Sequence, residues 1–240
     1  MYPLTEIRRQ VLDEMGVDVW SLRDKTGVAD IDTSQFVAQT KETARHSAVN
    51  NESEPGWLSL QKTVSSCQAC KLSKSRAQTV FGSGNNNAEL LLIGEAPGAE
   101  EDRLGLPFVG KAGELLDAML YAISLNREQV FICNVIKCRP PKNRDPQPDE
   151  VEACASYLTT QIASIKPRVI LALGSFAAHR LLETDLPVYK MRENSNLLPG
   201  TDIPVVVTYH PASLLRNPEQ KAESWSDLCK AKSLLEQTQS

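Results

Sequence analysis

Four apolar runs that alternate with helical patterns are the feature of this sequence that most constrains its fold. The runs lie at 88–93, 129–136, 168–173 and 203–208. Apolar residues recur at helical spacing near 57–66, 111–124, 148–165, 175–183 and 220–236. Such alternation is typical of a parallel sheet covered by helices on both faces. The sequence therefore predicts an α/β fold with three layers, α/β/α, around a central, mostly parallel four-stranded sheet.

The first 55 residues differ in character from the rest of the chain. Within 1–20, a short amphipathic helix is predicted from the spacing of Ile7, Val11, Leu12 and Met15. From about Asp24 to Pro55 the chain is polar and loses its periodicity, which is typical of a flexible linker. We therefore predict an N-terminal extension over 1–55 and a folded domain over 56–240.

Composition and charge narrow the class of protein. The chain has 240 residues, of which 41% are hydrophobic, and this is enough for one sizeable core. No apolar run is long enough to span a membrane, and the N-terminus lacks the apolar core of a signal peptide. We therefore expect a cytoplasmic protein with no membrane partner. The net charge of −4 disfavours a general nucleic-acid binder but allows a local basic patch.

Unusual polar stretches follow three of the predicted strands. They are GEAPG after the first strand, NVIKCRPPKNRDP around the end of the second, and TYHPASLLR after the fourth. Taken singly, Glu95 could be a helix cap, Asn134 a turn former and His210 a core histidine. In parallel sheets, however, ligands bind outside the carboxyl ends of the strands, where these three residues would converge.

Two further properties suggest what such a pocket would bind. The Asn134 amide offers a donor and an acceptor in one plane, which suits the edge of a nucleobase. Phe108, in the loop after the first strand, offers a face on which a base could stack.

The segments GEAPGAEED, LPFVGKAGELLD, NVIKCRPPKNRDP and HPASLLR, in this order and spacing, closely resemble family 4 uracil-DNA glycosylases. These are the iron–sulfur branch of their superfamily, and the resemblance covers roughly residues 57–236. It implies a uracil-DNA glycosylase-like fold and a hydrolase that flips deoxyuridine out of DNA and cleaves its N-glycosidic bond. Uracil is released, and an abasic site is left for base excision repair. We also expect a monomer, and a replication or repair partner as the candidate ligand of the N-terminal extension, which the resemblance does not cover.

The resemblance assigns catalytic roles to two residues. His210 would donate a hydrogen bond to uracil O2 as a neutral imidazole, while charge accumulates on the departing base. Glu95 would position or activate the attacking water and stabilise the cationic sugar. Other branches carry an aspartate where this sequence has Ala96, so the catalytic role of a carboxylate is expected to fall mainly to Glu95. Glu101, in the same loop, is a secondary candidate.

The remaining substrate contacts also follow from the resemblance. Asn134 would read O4 and N3–H of uracil, and Phe108 would stack on the flipped ring. Gly94 would bring the backbone close to the ligand, beside Ala96.

Residues that hold the DNA are expected near the same edge. Leu214 resembles the apolar wedge that enters the duplex where the base has left, although an ordinary core leucine is an equal alternative. Arg216 could meet a phosphate. A local basic patch is predicted from Lys137, Arg139, Lys142 and Arg144.

The spacing of the six cysteines does not by itself identify a metal. Cys67 and Cys70 form a CxxC pair, whereas Cys138 and Cys154 lie far downstream, which fits neither a zinc ribbon nor a bacterial ferredoxin well. A four-thiolate metal site is therefore one reading. The family resemblance implies that these four cysteines bind a 4Fe–4S cluster with a structural role. Cys133 matches no ligand position and is expected in the core.

Three alternative functions are less consistent with these motifs. A related branch that binds uracil-DNA covalently carries a basic, histidine-containing insertion, which this sequence lacks. A module that binds uracil or abasic DNA without turnover would not require Glu95. A zinc-stabilised nucleotide-binding protein would be colourless when purified.

Overall fold

The computed structural model describes residues 55–237, which lie within one compact unit, Asn51–Ser240. Except for Pro55, the predicted N-terminal extension, with its helix and linker, lies outside the described residues. None of the helices in the described range is long and apolar enough to cross a membrane.

The centre of the fold is a six-stranded mixed sheet. Its strands are β1 (Ser83–Gly84), β2 (Leu90–Gly94), β3 (Phe131–Asn134), β4 (Val169–Leu173), β5 (Asn196–Leu197) and β6 (Pro204–Thr208), in the order β1-β3-β2-β4-β6-β5. The four predicted strands form the parallel centre, whereas β1 and β5 add antiparallel edges. These edges were not predicted, because two residues are too few to show a periodic pattern.

Helices surround this sheet. They are α1 (Pro55–Ser65), α2 (Ala99–Leu104), α3 (Lys111–Ala122), α4 (Pro148–Ile165), α5 (Ser175–Leu182), α6 (Val188–Glu193), α7 (Pro211–Arg216) and α8 (Lys221–Glu236). The five predicted helices correspond to α1, α3, α4, α5 and α8. The other three contain six residues each, too few for an apolar repeat to stand out.

The sheet buries apolar side chains on both faces. On β2, Leu91 and Ile93 pack into a core that includes side chains of α1, α4 and α5. Leu90 and Leu92 pack into a second core, with side chains of α3 and α8. Because successive side chains of a strand point to opposite faces, this division confirms the three-layer α/β/α architecture.

Strand register brings the predicted site residues to one edge. Gly94 lies opposite Asn134 at the carboxyl ends of β2 and β3. At the ends of β4 and β6, Leu173 lies opposite Thr208, two residues before His210. The chain leaves β2 to form β3 on one side and β4 on the other, so a crevice opens at this point.

Candidate active site

A cavity of about 690 Å³ opens at the carboxyl edge of the sheet. Its wall includes five of the predicted substrate residues, namely Glu95, Ala96, Phe108, Asn134 and His210. The cavity therefore brings together residues that lie far apart in the sequence.

Gly94 lies directly against two of these side chains. A Cβ atom at this position would approach Asn134 Oδ1 to 2.5 Å and Phe108 Cζ to 2.7 Å. Only glycine leaves room for both groups, so its absent side chain allows the amide and the ring to sit side by side at the end of β2.

The Phe108 ring forms one wall of the cavity and stacks on the His210 ring, with centroids 5.5 Å apart and planes at 30°. Its backbone has a positive φ of 53°. Arg127 stabilises this turn by donating to the carbonyl oxygens of Phe108 and Pro107. Gly113 lies so close to the Phe108 carbonyl that no side chain would fit. The roles of Arg127 and Gly113 were not predicted from the sequence, because Arg127 lies 19 residues from Phe108 and the contact of Gly113 depends on how the loop folds back on α3.

Asn134 ends β3 and is only 2% exposed. Its backbone oxygen accepts a hydrogen bond from Lys137 Nζ at 2.7 Å. Within residues 55–237, the side-chain amide has no hydrogen-bond partner, although it lines the cavity. A buried amide costs free energy unless it is paired, so this group is available to a ligand.

His210 is held as a neutral hydrogen-bond donor. Its Nδ1 accepts from the backbone N–H of Ala212 at 3.1 Å, which places the ring proton on Nε2. Burial, and then the positive charge of Arg216, lowers the pKa of His210 to about 4. The imidazole is therefore uncharged at neutral pH, with Nε2–H left to donate.

Glu95 places a half-buried carboxylate in the same cavity. Its backbone oxygen accepts from Ile136 N–H at 3.2 Å, which fixes the start of the loop. Burial, and then the negative charge of Asp145, raises the pKa of Glu95. The carboxylate forms no hydrogen bond with any other described residue, so it is free to accept from water or a ligand.

Glu101 has a structural contact that explains its presence in this loop. Its Oε2 accepts from Gly98 N–H at 3.0 Å, at the start of α2. This capping interaction satisfies a helix-terminal donor.

Comparison with known proteins identifies the family. The sequence profile described as the Uracil DNA glycosylase superfamily matches residues 81–229. A protein named type-4 uracil-DNA glycosylase from Archaeoglobus fulgidus is 44% identical over 175 residues, which cover 70% of this chain and 88% of the relative. A protein of the same name from Thermotoga maritima is 42% identical over 180 residues, with coverage of 73% and 93%. The chain belongs to the type-4 uracil-DNA glycosylases.

A second group is less similar. A type-5 uracil-DNA glycosylase from Pyrobaculum aerophilum is 29% identical over 146 residues, which cover 55% of this chain and 64% of the relative. In this type-4 family member, the superfamily match includes the whole set of predicted cavity residues and begins downstream of Cys67 and Cys70.

The predicted basic patch is smaller in the structure than in the sequence. Arg216 lines the cavity, and Lys142 is exposed, three residues after the half-buried Arg139. Arg144 also lines the cavity, but it pairs with Glu150 through two hydrogen bonds of 2.8 and 2.6 Å. Lys137 is buried and donates to the backbone, so its assignment to the patch was wrong.

The structure also corrects the expectation for Leu214. This residue is 1% exposed and packs into one of the two cores, so the core reading fits and the wedge reading does not. Its neighbour Leu215 is 44% exposed on the same short helix, α7. Successive side chains of a helix point about 100° apart, so the rotation of the helix against the core decides which of the two leucines is buried. A six-residue segment is too short for its sequence to show that rotation.

None of the four predicted ligand cysteines forms a disulfide; Cys67 and Cys70 are half-buried, and Cys138 and Cys154 are buried. Arg76 Nη1 donates to Cys138 Sγ at 3.0 Å, and the backbone N–H of Lys137 donates to Cys154 Sγ at 3.5 Å. Burial raises the pKa of Cys138 to about 11, with Cys154 and Cys70 raising it further and Arg76 opposing them. Such mutual influence indicates that these thiols are neighbours.

Four thiolates are a donor set that an iron–sulfur cluster can use, and the sulfur atoms of such clusters commonly accept hydrogen bonds, as Cys138 and Cys154 do here. Among residues 55–237, no group of three His, Cys, Asp or Glu side chains is placed to hold one metal ion. Cys133 lies fully buried in the core on β3.

Proposed function

We propose that this protein is a uracil-DNA glycosylase that hydrolyses the N-glycosidic bond of deoxyuridine in DNA and leaves an abasic site for base excision repair. One observation carries the proposal beyond family membership. A buried, unpartnered amide, an aromatic ring and a neutral imidazole donor line one cavity together with a free carboxylate.

Recognition follows from the planar groups of the cavity. The Asn134 amide donates to uracil O4 and accepts from N3–H, while Phe108 stacks on the flipped ring. Cytosine has an amine at the O4 position and no hydrogen on N3, so it mispairs with the amide in the orientation that pairs with uracil. Gly94 allows the two recognising side chains to act on one base.

Bond cleavage separates charge, and the cavity has a group for each sign. As the bond between C1′ and uracil N1 breaks, negative charge develops on the base and positive charge on the sugar. His210 Nε2–H donates to O2, which stabilises the departing anion without transferring its proton. Because the imidazole is neutral and already oriented by Ala212, this donation requires no prior protonation.

Glu95 serves the sugar side of the reaction. Its carboxylate stabilises the positive charge and orients a water molecule toward C1′. The water oxygen forms the new bond to C1′, its proton passes to Glu95, and uracil carries away the bonding electrons. The raised pKa of Glu95 makes it a better proton acceptor than an exposed carboxylate.

Basic groups at and near the cavity are proposed to hold the DNA. Arg216 lines the cavity and is the first candidate for a phosphate contact, with the exposed Lys142 and the half-buried Arg139 as further candidates. Arg144 also lines the cavity, but its ion pair with Glu150 limits its availability. Leu215, in place of Leu214, is proposed as the apolar side chain that occupies the space left by the flipped base, because it is exposed and next to Arg216, which lines the cavity.

The cysteine site is proposed to hold a 4Fe–4S cluster through Cys67, Cys70, Cys138 and Cys154. When bound, the cluster would cross-link distant parts of the chain. It would supply no electrons, since glycosidic hydrolysis is not a redox reaction. Cys138 lies four residues after Asn134, so its ligation would steady the end of β3. Residues 56–240 are the proposed monomeric catalytic domain, and 1–55 a proposed docking segment for a replication or repair partner.

The experiment that tests this function is an excision assay. Cluster-loaded protein is incubated with an oligonucleotide that contains one uracil, and abasic sites are then cleaved with alkali. Matched oligonucleotides with cytosine or thymine at that position are the controls. Scission of the uracil substrate alone is expected, and no scission above the blank would contradict the proposal.

A further inference from the structure

Residues 76–80 form a segment that contacts the cysteine site through hydrogen bonds. Arg76 donates from Nη1 to Cys138 Sγ at 3.0 Å and from Nη2 to the Cys67 carbonyl at 2.6 Å. Val80 N–H donates to the carbonyl of Lys137 at 2.8 Å, next to Cys138. The position of this segment is therefore tied to two of the proposed cluster ligands.

The next two residues of the segment bind Asp102 of α2. Ala77 N–H lies 3.0 and 3.1 Å from the two carboxylate oxygens, and Gln78 N–H lies 3.5 Å from Oδ1. Asp102 is only 6% exposed. Hydrogen bonds to a buried carboxylate are stronger than those between neutral groups, so this contact is the main polar link between the segment and α2.

The end of α2 fits against the same segment. Gln78 Nε2 donates to the Arg103 carbonyl at 2.7 Å. Gly105 closes the helix with φ of 72°, and a Cβ there would lie 2.7 Å from Gln78 Oε1. Both contacts depend on the position of Gln78 beside the helix.

α2 connects the two halves of the candidate active-site loop. Glu95 lies four residues before Ala99, and Phe108 lies four residues after Leu104. A six-residue helix is too short to be stable by itself, so its position depends on tertiary contacts. A displacement of α2 would therefore move the carboxylate and the aromatic ring relative to Asn134 and His210.

We infer that Asp102 is a positioning residue, which holds the loop that carries Glu95 and Phe108 against the segment that binds the cysteine site. This inference rests on the proposed function. It extends that function by making the geometry of the active site depend on Arg76, Ala77 and Gln78, none of which lines the cavity.

The test compares Asp102→Asn with Asp185→Asn, the same loss of charge at an exposed carboxylate that does not line the cavity. Asparagine places an NH₂ donor where one carboxylate oxygen accepts, so the link to Ala77 weakens. We expect amide hydrogen exchange over 99–105 to become at least about tenfold faster, with exchange in the rest of the domain unchanged. For uracil excision, kcat should fall at least about tenfold while KM stays within about threefold. Visible absorption of the cluster should be retained, and Asp185→Asn should match the wild type.

Arg76→Gln provides an independent arm, because the hydrogen bonds of Arg76 go to the cysteine site and not to α2. Exchange over 99–105 should again become faster. The double variant, Arg76→Gln with Asp102→Asn, should be as active as the less active of the two single variants, since both changes break the same link.

Several results would overturn the inference. They are unchanged exchange over 99–105 in Asp102→Asn, faster exchange throughout the domain, or fold losses in kcat that multiply in the double variant. The exchange experiment needs no substrate, so it decides the inference even if the wild type fails to release uracil. That failure would overturn the proposed function instead.

Discussion

At the scale of single residues, hydrogen-bonding groups of the cavity side chains are left without a protein partner, so they are available to a ligand. The carbonyl of Asn134 accepts from Lys137, yet its side-chain amide is unpaired within the described range. His210 uses Nδ1 internally and leaves Nε2–H free. If the cavity binds uracil as proposed, these groups already face the edge of the base, which lowers the cost of reorganisation during the reaction.

Replacement of Asn134 by aspartate should impair both rate and discrimination. The new carboxylate cannot donate to uracil O4, and each mispaired buried group costs about 1–3 kcal/mol. We expect kcat/KM on uracil-DNA to fall roughly 10- to 100-fold. Since a carboxylate accepts from an exocyclic amine, weak excision of cytosine is also expected. Parallel assays on uracil and cytosine oligonucleotides check this, and an unchanged ratio between them would refute the assigned role.

The buried charge of Glu95 should make the protein less stable at neutral pH. Its pKa is raised in the folded state, so the folded protein binds this proton more tightly than the unfolded chain does. The resulting stabilisation is present at low pH and is lost as pH rises through the folded pKa. Glu95→Gln should therefore have a higher Tm than the wild type near pH 8, by a margin that shrinks toward about pH 5.

The control for this measurement is Glu100→Gln, an exposed carboxylate that pairs with Arg103. Its Tm should stay close to that of the wild type at both pH values, because exposed ion pairs contribute little. A Glu95→Gln variant that is less stable than the wild type near neutral pH would contradict the assigned environment.

At the scale of elements, α7 divides its residues between the core and the cavity mouth. His210 caps its first turn through Nδ1, and Pro211 occupies the first helical position. One face buries Leu214, while Leu215 and Arg216 are exposed. A single short helix thus orients the imidazole and leaves an apolar side chain, Leu215, exposed.

Two identical truncations on α7 should separate these roles. Leu214→Ala removes a buried side chain and should destabilise the domain by about 2–5 kcal/mol. Leu215→Ala should leave Tm nearly unchanged but lower the excision rate on duplex DNA about tenfold, with a smaller loss on single-stranded DNA. Melting curves and single-turnover assays on both substrates distinguish them. Equal rates for Leu215→Ala and the wild type on duplex DNA would exclude the wedge role.

For the whole molecule, the sequence was enough to predict the features that follow from regular patterns of apolar residues and from the rules of parallel sheets. Alternating apolar runs indicated the three layers, and the rule for parallel sheets placed Glu95, Asn134 and His210 at one edge. Contacts between distant segments were beyond such patterns. The burial of Lys137 and the pairing of Arg144 with Glu150 depend on how the loop after β3 packs, and local sequence does not encode that packing.

The proposed cluster should connect distant parts of the domain. Cys138→Ala and Cys154→Ala should each abolish or strongly reduce the visible absorption of the protein and lower its Tm, since metal binding contributes to folding free energy. Cys133→Ala is the matched control, because this cysteine is equally buried in the core. It should retain the absorption. Full colour in the Cys138 and Cys154 variants would show that other residues bind the iron.

The central claim is that the cavity at the carboxyl edge of the sheet excises uracil with Glu95 as the group that acts on sugar and water. The most direct test measures single-turnover release of free uracil by the wild type and by Glu95→Ala, together with the affinity of each for uracil-containing DNA. We predict that the wild type releases uracil and that Glu95→Ala is at least about 100-fold slower, with Kd within about threefold. Full single-turnover activity in Glu95→Ala would contradict this claim.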